Sequence, residues 1–161
     1  MAAWGASIRN AAWDGAAVTD LDASHGLRTI FPAGTLALPE GVGLAWGVDV
    51  SLQPMRNTVS RVASDGSVES LASFAGLTVL DVARHEDTDE LVYLVIEGDE
   101  YGAEPTPFQA RVLVAARATP GDTVELLSFA TDVEPRSIAY WAGGLFLGTA
   151  DGQVLKSSAE Q

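Results

Sequence analysis

Few side chains in this sequence have a type and spacing that suit catalysis. Only two histidines are present, His25 before Gly26 and His85 at the start of an acidic turn. A histidine base needs a nucleophile and an orienting acid close to it in space. The sequence contains no nucleophile elbow and no glycine-rich phosphate loop that would indicate such a site. We therefore interpret both histidines as exposed loop residues, assign no catalytic residue and predict a protein that is not an enzyme.

An acidic segment is the best candidate for a contact site. Its candidate contact residues are Glu97, Asp99, Glu100, Tyr101 and Glu104. Carboxylates suit calcium, but the alternating acidic spacing of a calcium loop is missing, so we expect no metal and no cofactor. Long loops on rigid β scaffolds often carry recognition, which favours a protein partner here. The alternative is a glycan, with Tyr101 in the binding loop.

The four tryptophans fall into two groups. Trp46 and Trp141 lie in strand patterns, so we expect both to pack in the core. Trp4 and Trp13 lie in an alanine-rich opening segment in which no pattern buries them. Exposed aromatic side chains favour docking, so these two and Ile8 are candidates for contacts with another chain. Stacking on sugars, as in a lectin, is the alternative for the tryptophans.

Composition excludes several classes of function. The 161 residues include 22 acidic and 9 basic ones, and a net charge of -13 repels the phosphates of nucleic acids. There is no cysteine, which excludes disulfides and thiolate metal sites. Apolar runs are too short for membrane insertion. Residues 1–9 lack the basic start and apolar core of a secretory signal, so we expect no export by that route.

Short apolar runs between turn residues predict an all-β protein. In the middle of the chain we expect strands near residues 78–84, 91–97, 109–117 and 123–130. Nearer the end we expect strands near 136–141, 145–150 and 153–157. Turn dipeptides such as Asp151-Gly152 suit the tight hairpins that would join them. The expected architecture is an antiparallel four-stranded meander followed by an incomplete one.

The sequence also repeats itself. Residues 68–75 match residues 124–130 with one deletion, and Val82 then aligns with Ile138. The offset is about 56 residues, and without the long loop after Glu97 it falls to about 45, which is typical of four-stranded propeller blades. The segment 43–49 resembles the strand near 91–96, so the repeat occurs about three times. The last copy has no fourth strand.

The stretch 135–158 carries a resemblance to a known class of blade. Its pattern, Ile138-Ala139, then Gly148-Thr149 and the hairpin Asp151-Gly152, resembles blades of degenerate β-propellers in phage tail or virion proteins and bacterial surface proteins. That resemblance implies a structural or interaction protein, with a virion as one setting; the localisation stays open. Since a fold does not specify a function, a carbohydrate-binding propeller is the alternative, and a glycosidase fragment is a third hypothesis.

These patterns also predict a domain organisation and an assembly. We expect an N-terminal segment or arm over residues 1–13 and a single propeller-like domain over 14–161, with repeats over about 27–75, 76–131 and 132–161. Three repeats are too few to close a propeller, and an unpaired edge at 153–157 invites pairing. We therefore expect a homo-oligomer or a structural protein partner, with residues 6–13 as one candidate for the missing strand.

Overall fold

The computed structural model describes residues 11–13, 18–20, 30–38, 42–49, 56–63, 68–85, 87–98 and 107–157. All regular secondary structure in these ranges is β-strand. The chain divides into two compact units, Met1–Ser73 and Phe74–Gln161. Within the described ranges, no helix is long and apolar enough to cross a membrane.

The first unit contains a two-stranded ribbon and a four-stranded sheet. The ribbon pairs β1 (Ala11–Trp13) with β2 (Val18–Asp20). The sheet, called the first sheet below, has the order β3-β4-β5-β6. Its strands are β3 (Ile30–Leu38), β4 (Val42–Asp49), β5 (Arg56–Val62) and β6 (Val68–Phe74). Trp46 of β4 is 3% exposed, as expected for a core residue.

The second unit contains two sheets. The second sheet has four strands: β7 (Leu77–His85), β8 (Glu90–Glu97), β9 (Phe108–Ala116) and β10 (Val124–Thr131). The third sheet has three: β11 (Pro135–Trp141), β12 (Gly144–Thr149) and β13 (Val154–Ser157). In both sheets, neighbouring strands are consecutive in the chain and antiparallel. The predicted all-β fold of four-stranded meanders with an incomplete last member is confirmed.

The repeat seen in the sequence corresponds to a repeat of strands. The matched segments 68–75 and 124–130 form β6 and β10, which are the fourth strands of the first and second sheets. The third sheet has no strand beyond β13 among the described residues. In both units, alternating side chains define two faces for each sheet, because successive residues of a strand point to opposite sides.

The core of the second unit lies between its two sheets. Val92, Leu94 and Val112 from the second sheet pack against Ile138, Leu145 and Leu147 from the third. These are alternate residues on their strands, which is the pattern of a sheet that buries one face against another. Packing of the two sheets therefore fixes the relative positions of the side chains that lie along their junction.

The first strand of each of the three larger sheets carries a bulge near its middle or start. The pairing register shifts between Pro32 and Gly34 in β3, between Val79 and Asp81 in β7, and between Pro135 and Ser137 in β11. A bulge places an extra residue on one strand and bends it. The same irregularity at the corresponding strand of each sheet is further evidence of a structural repeat.

Asp81 joins the second and third sheets just after the bulge in β7. Its Oδ1 accepts a hydrogen bond from the Val82 N–H, and its Oδ2 accepts one from the Ile138 N–H of β11, each at 2.9 Å. Burial raises the pKa of the Asp81 carboxyl above its ordinary 3.8, and the two N–H donors oppose that shift. The carboxylate thus satisfies a backbone donor of a neighbouring sheet.

Two tight hairpins shape the third sheet. Ala142 and Gly143, between β11 and β12, have φ of 49° and 74°, as a two-residue turn with two left-handed residues requires. Gly152, between β12 and β13, has φ of 86°. The Thr149 hydroxyl in this second turn donates to Asp151 Oδ1 at 2.6 Å and holds the pKa of Asp151 below its ordinary value.

Gly148 differs from Gly152 in the reason for which glycine is needed. The sequence pattern predicts a positive φ at both positions, but only Gly152 has one. At Gly148 an added Cβ would overlap the Ser137 hydroxyl on the adjacent strand, so close approach, and not backbone conformation, favours glycine there.

Removal of the Asp81 carboxylate should destabilise the second unit. We expect Asp81→Ala to lower the free energy of unfolding by about 1–3 kcal/mol at pH 7, because the Ile138 N–H loses its acceptor. The folded pKa exceeds the unfolded one, so the wild type loses stability as the pH rises from about 3.8 through the folded pKa. The difference between wild type and variant should therefore be larger at pH 4 than at pH 7.

Urea unfolding at both pH values measures this difference. Asp132→Ala, in the exposed turn after β10, is the matched control and should change stability by less than about 0.5 kcal/mol. An Asp81→Ala variant as stable as the wild type would contradict the role assigned to the carboxylate.

Substitutions of Gly152 should lower the free energy of unfolding, and the loss should be larger for a residue that tolerates a positive φ less well. Gly152→Ala is expected to lower the free energy of unfolding by about 1 kcal/mol, and Gly152→Asn by less, since asparagine tolerates a positive φ better. Gly43→Ala is the control, because a Cβ there meets only ordinary contacts near 4.0 Å. Thermal or urea unfolding of the three variants tests the order, and equal losses at positions 43 and 152 would refute it.

Candidate functional site

A cavity of about 520 Å³ lies between the second and third sheets, at the end where β7 stops and β8 begins. Cavities of this size are typical of ligand sites. Its aliphatic walls include Val92, Val114, Val124, Leu126 and Leu145. Its polar lining consists of His85, Glu90, Asp122, Glu125 and Tyr140. The cavity is therefore an apolar space with carboxylates at its boundary.

His85 and Tyr140 stack across the junction of the two sheets. Their ring centroids are 3.6 Å apart and their planes differ by 27°. The Thr88 N–H donates to His85 Nδ1 at 3.3 Å, so Nε2 carries the proton of the neutral ring. The prediction of an exposed loop histidine is wrong for His85, which ends β7 and is half-buried because it packs on the next sheet. His25 lies outside the described residues.

Three carboxylates line the cavity, and their partners differ. Glu125 Oε2 lies 3.6 Å from Arg111 Nη1. Glu90 accepts a hydrogen bond from the Thr88 hydroxyl at 2.6 Å, which leaves its negative charge in place. Within the described ranges, neither Glu90 nor Asp122 forms an ion pair. The cavity therefore has two carboxylates whose charge is not compensated by a direct cationic partner there.

Two further residues hold the cavity boundary in place. The carboxylate of Asp89 bridges two arginines, with Oδ1 3.0 Å from Arg84 Nε and Oδ2 3.0 Å from Arg117 Nε. Asp89 has φ of 56°, which turns the chain directly into Glu90. The buried Tyr93 hydroxyl donates to the Pro120 carbonyl at 3.1 Å, in the turn that carries Asp122. Burial raises the pKa of Tyr93, so the hydroxyl keeps its proton.

The edge strand β13 borders the same junction. All four of its residues are exposed. Beside it, a smaller cavity of about 230 Å³ is lined by side chains of β10, β12 and β13. Its lining residues are Leu127, Phe129, Leu147, Leu155, Lys156 and Ser157. Val124 and Leu126 of β10 are also open to solvent, with exposed fractions of 70% and 63%. An apolar groove therefore runs between β10 and β13.

The hydrogen-bonding pattern shows which backbone groups of β13 face outward. The Thr149 N–H donates to the Gln153 carbonyl at 3.0 Å, and Gly148 pairs with Val154 in the next position. Hydrogen-bonded and non-hydrogen-bonded pairs alternate along an antiparallel ladder. The N–H and C=O groups of Val154 and Lys156 therefore point away from β12, towards the open side of the third sheet.

The third sheet also presents an aromatic side chain on its other face. Trp141 is 73% exposed and lies 6.3 Å from Phe146 by ring centroids, with Lys156 Nζ 5.6 Å from the Phe146 centroid. The prediction that Trp141 packs in the core is wrong. Its neighbour Tyr140 faces the second sheet, so alternation along β11 directs Trp141 to the opposite face.

The predicted contact residues are only partly described. Glu97 ends β8 and forms an ion pair with Arg111 of β9, so its carboxylate already has a cationic partner. Asp99, Glu100, Tyr101 and Glu104 lie outside the described residues, as do Trp4 and Ile8. Trp13 falls in β1, whose backbone pairs with β2. In the described part of the chain, no cluster of three or more acidic, histidine or cysteine side chains is suited to a metal ion.

Sequence reasoning did not identify the cavity. One signal was available for Asp81, since a single acid inside the apolar run 77–83 predicts a buried partner. No comparable signal marks Glu90 or Asp122, because both lie among turn residues that are usually solvated. Their proximity depends on pairing of β8 with β9 and on the position of the turn between β9 and β10.

Comparison with known proteins gives a likeness of fold. No protein-family model matches the sequence, and no curated protein matches it. A solved chain described as "Crystal structure of Nidogen/Laminin Complex" is similar, with a TM-score of 0.61 and 15% identity. The match covers 90% of this chain and 48% of that one. The fold is β-propeller-like. The chain spans about half the length of the solved chain it matches.

Proposed function

We propose that this protein is an interaction domain that binds an extended segment of another protein along the open edge of its third sheet. The observation that carries the proposal is β13, an edge strand with four exposed residues and outward backbone groups at Val154 and Lys156. Extended peptides add to such edges because the main-chain hydrogen bonds do not depend on sequence.

The neighbouring β10 supports the same proposal. It is the fourth strand of the second sheet, and its apolar residues Val124, Leu126 and Leu127 are exposed beside a third sheet that has three strands among the described residues. A fourth strand on the third sheet would cover them in the way that the third sheet covers Val92 and Val112. Solvent exposure of these groups costs about 25 cal/mol per Å² of apolar area, so covering them favours binding.

The type of partner, the biological setting and the oligomeric state are each supported by a separate observation. The similar solved chain comes from a protein complex, which agrees with a protein partner. The non-enzymatic role rests on the sequence, which carries no catalytic motif. A virion or phage tail as the setting rests on the resemblance of residues 135–158 alone. Homo-oligomerisation rests on the open edge, and the carbohydrate-binding alternative rests on Tyr101. The domain division at residue 13 also remains a proposal.

The edge can be tested by removing one outward N–H. Val154→Pro deletes a donor that β12 does not use, and Val154→Thr keeps the donor and the side-chain shape. The probe is an acetylated, amidated six-residue peptide in which arginine alternates with valine. We expect the peptide to slow amide exchange at Lys156 in wild type and in Val154→Thr. Val154→Pro should weaken binding by about tenfold, the value of one hydrogen bond.

Nuclear magnetic resonance titration measures both quantities, and urea unfolding confirms that each variant is folded. Equal affinity of Val154→Pro and wild type, or absence of wild-type binding at millimolar peptide, would contradict the proposed function. Sedimentation of wild type and Val154→Pro without peptide tests self-association at the same edge. A monomer in both cases would exclude the homo-oligomer.

A further inference from the structure

The cavity of about 520 Å³ lies near the end of β13 at which an added antiparallel strand would begin. Ser157 ends β13 and pairs with Leu145, and Leu145 lines the cavity. A strand antiparallel to β13 therefore enters beside the cavity and then runs towards Val154. Its first side chains would be the ones that reach the cavity.

The walls of the cavity suit a long side chain with an apolar stem. Val92 and Val114 form one wall, and Leu145 forms the opposite one. An arginine or lysine buries its methylene groups against such walls while its charged end stays near polar groups. The stacked Tyr140 and His85 add a flat aromatic surface, on which a guanidinium packs better than an ammonium.

The charges at the boundary select a cation. Glu90 and Asp122 form no ion pair within the described ranges, and the sequence as a whole has a net charge of -13. Arg84 and Arg117 share the single carboxylate of Asp89, and Arg111 pairs with Glu97 and Glu125. Glu90 is half-buried beside the apolar lining, where a carboxylate attracts a cation more strongly than in bulk water, and Asp122 adds its charge at the exposed side. These charges repel an anionic ligand and do not favour a neutral one.

The same charge argues against a second copy of this chain as the occupant. Two chains of net charge -13 repel each other over the distances at which they would dock. A basic segment of a different protein is attracted by the whole domain and by the cavity in particular.

We propose that the cavity binds an arginine side chain, flanked by apolar residues, of an extended segment of a basic partner protein, with Glu90 and Asp122 as its ion-pair partners. This inference rests on the proposed function, because the segment that carries the arginine is the one that pairs with β13. It adds the chemistry of the partner and a specificity site that strand pairing alone does not provide.

Two peptides test the inference. One is the arginine–valine peptide used above, and the other replaces each arginine by citrulline, which has nearly the same shape and no charge. We expect the arginine peptide to bind wild type at least about tenfold more tightly at low salt, with the difference shrinking as salt rises. The double variant Glu90→Gln/Asp122→Asn should lose most of the preference for the arginine peptide and keep only the part that the net charge of the chain provides.

Matched variants separate the cavity from the edge and from general charge. Glu134→Gln removes an acid that pairs with Arg136 at the start of β11, away from the cavity lining, and should keep the preference for arginine. Urea unfolding checks that the double variant is folded, and Glu90→Gln and Asp122→Asn alone give the same answer if it is not.

The outcomes distinguish the two proposals. If the citrulline peptide binds wild type as tightly as the arginine peptide and still protects the Lys156 amide, the cavity inference is wrong and the proposed function stands. If binding of the arginine peptide depends on Glu90 and Asp122 but not on Val154→Pro, the cavity binds a cation and the edge proposal fails. Equal loss of the arginine preference in Glu134→Gln would assign the effect to net charge and overturn the inference.

Discussion

The hydrogen bond from the Ile138 N–H to the Asp81 carboxylate is the contact on which the second unit depends. It joins the first strands of two sheets that also share an apolar core and the stacked rings of His85 and Tyr140, and apolar packing is non-directional. Apolar packing would tolerate a small slide of one sheet along the other, whereas a hydrogen bond of 2.9 Å would not. Partial burial of the carboxylate is unfavourable, but both of its oxygens accept hydrogen bonds from backbone N–H groups, which offsets the loss of contact with water.

The cavity and the groove are consequences of that fixed junction. His85 and Glu90 lie at one end of the second sheet, and Tyr140 lies on the third, so their proximity exists only while the two sheets keep their positions. Tyr93 and Asp89 then fix the turns that supply Asp122 and Glu90. A site built in this way is preorganised, which lowers the entropy that a bound segment must lose with its partner.

Local patterns predicted the strands well, since alternation and turn residues act over short distances. The expected strand near 91–97 is β8, and the expected strand near 145–150 is β12, each within one residue. Contacts between sheets were not predictable. Asp81 and Ile138 are 57 residues apart, and no feature of either segment indicates that it contacts the other. Trp141 was predicted to pack in the core because it lies in a strand, but Ile138 and Tyr140 face the second sheet, so alternation along β11 places Trp141 on the opposite face.

Lys156 has a practical consequence that follows from its position on β13. It is the single lysine of the sequence, and its amine lies at the open edge near Phe146. Above neutral pH, an amine-reactive fluorophore has few competing targets, because arginine guanidinium groups do not react under the same conditions. The expected product carries one dye at the α-amino group and one at Lys156. Binding of a partner at the edge of β13 should then change the emission of the dye at Lys156, and no engineered residue is needed.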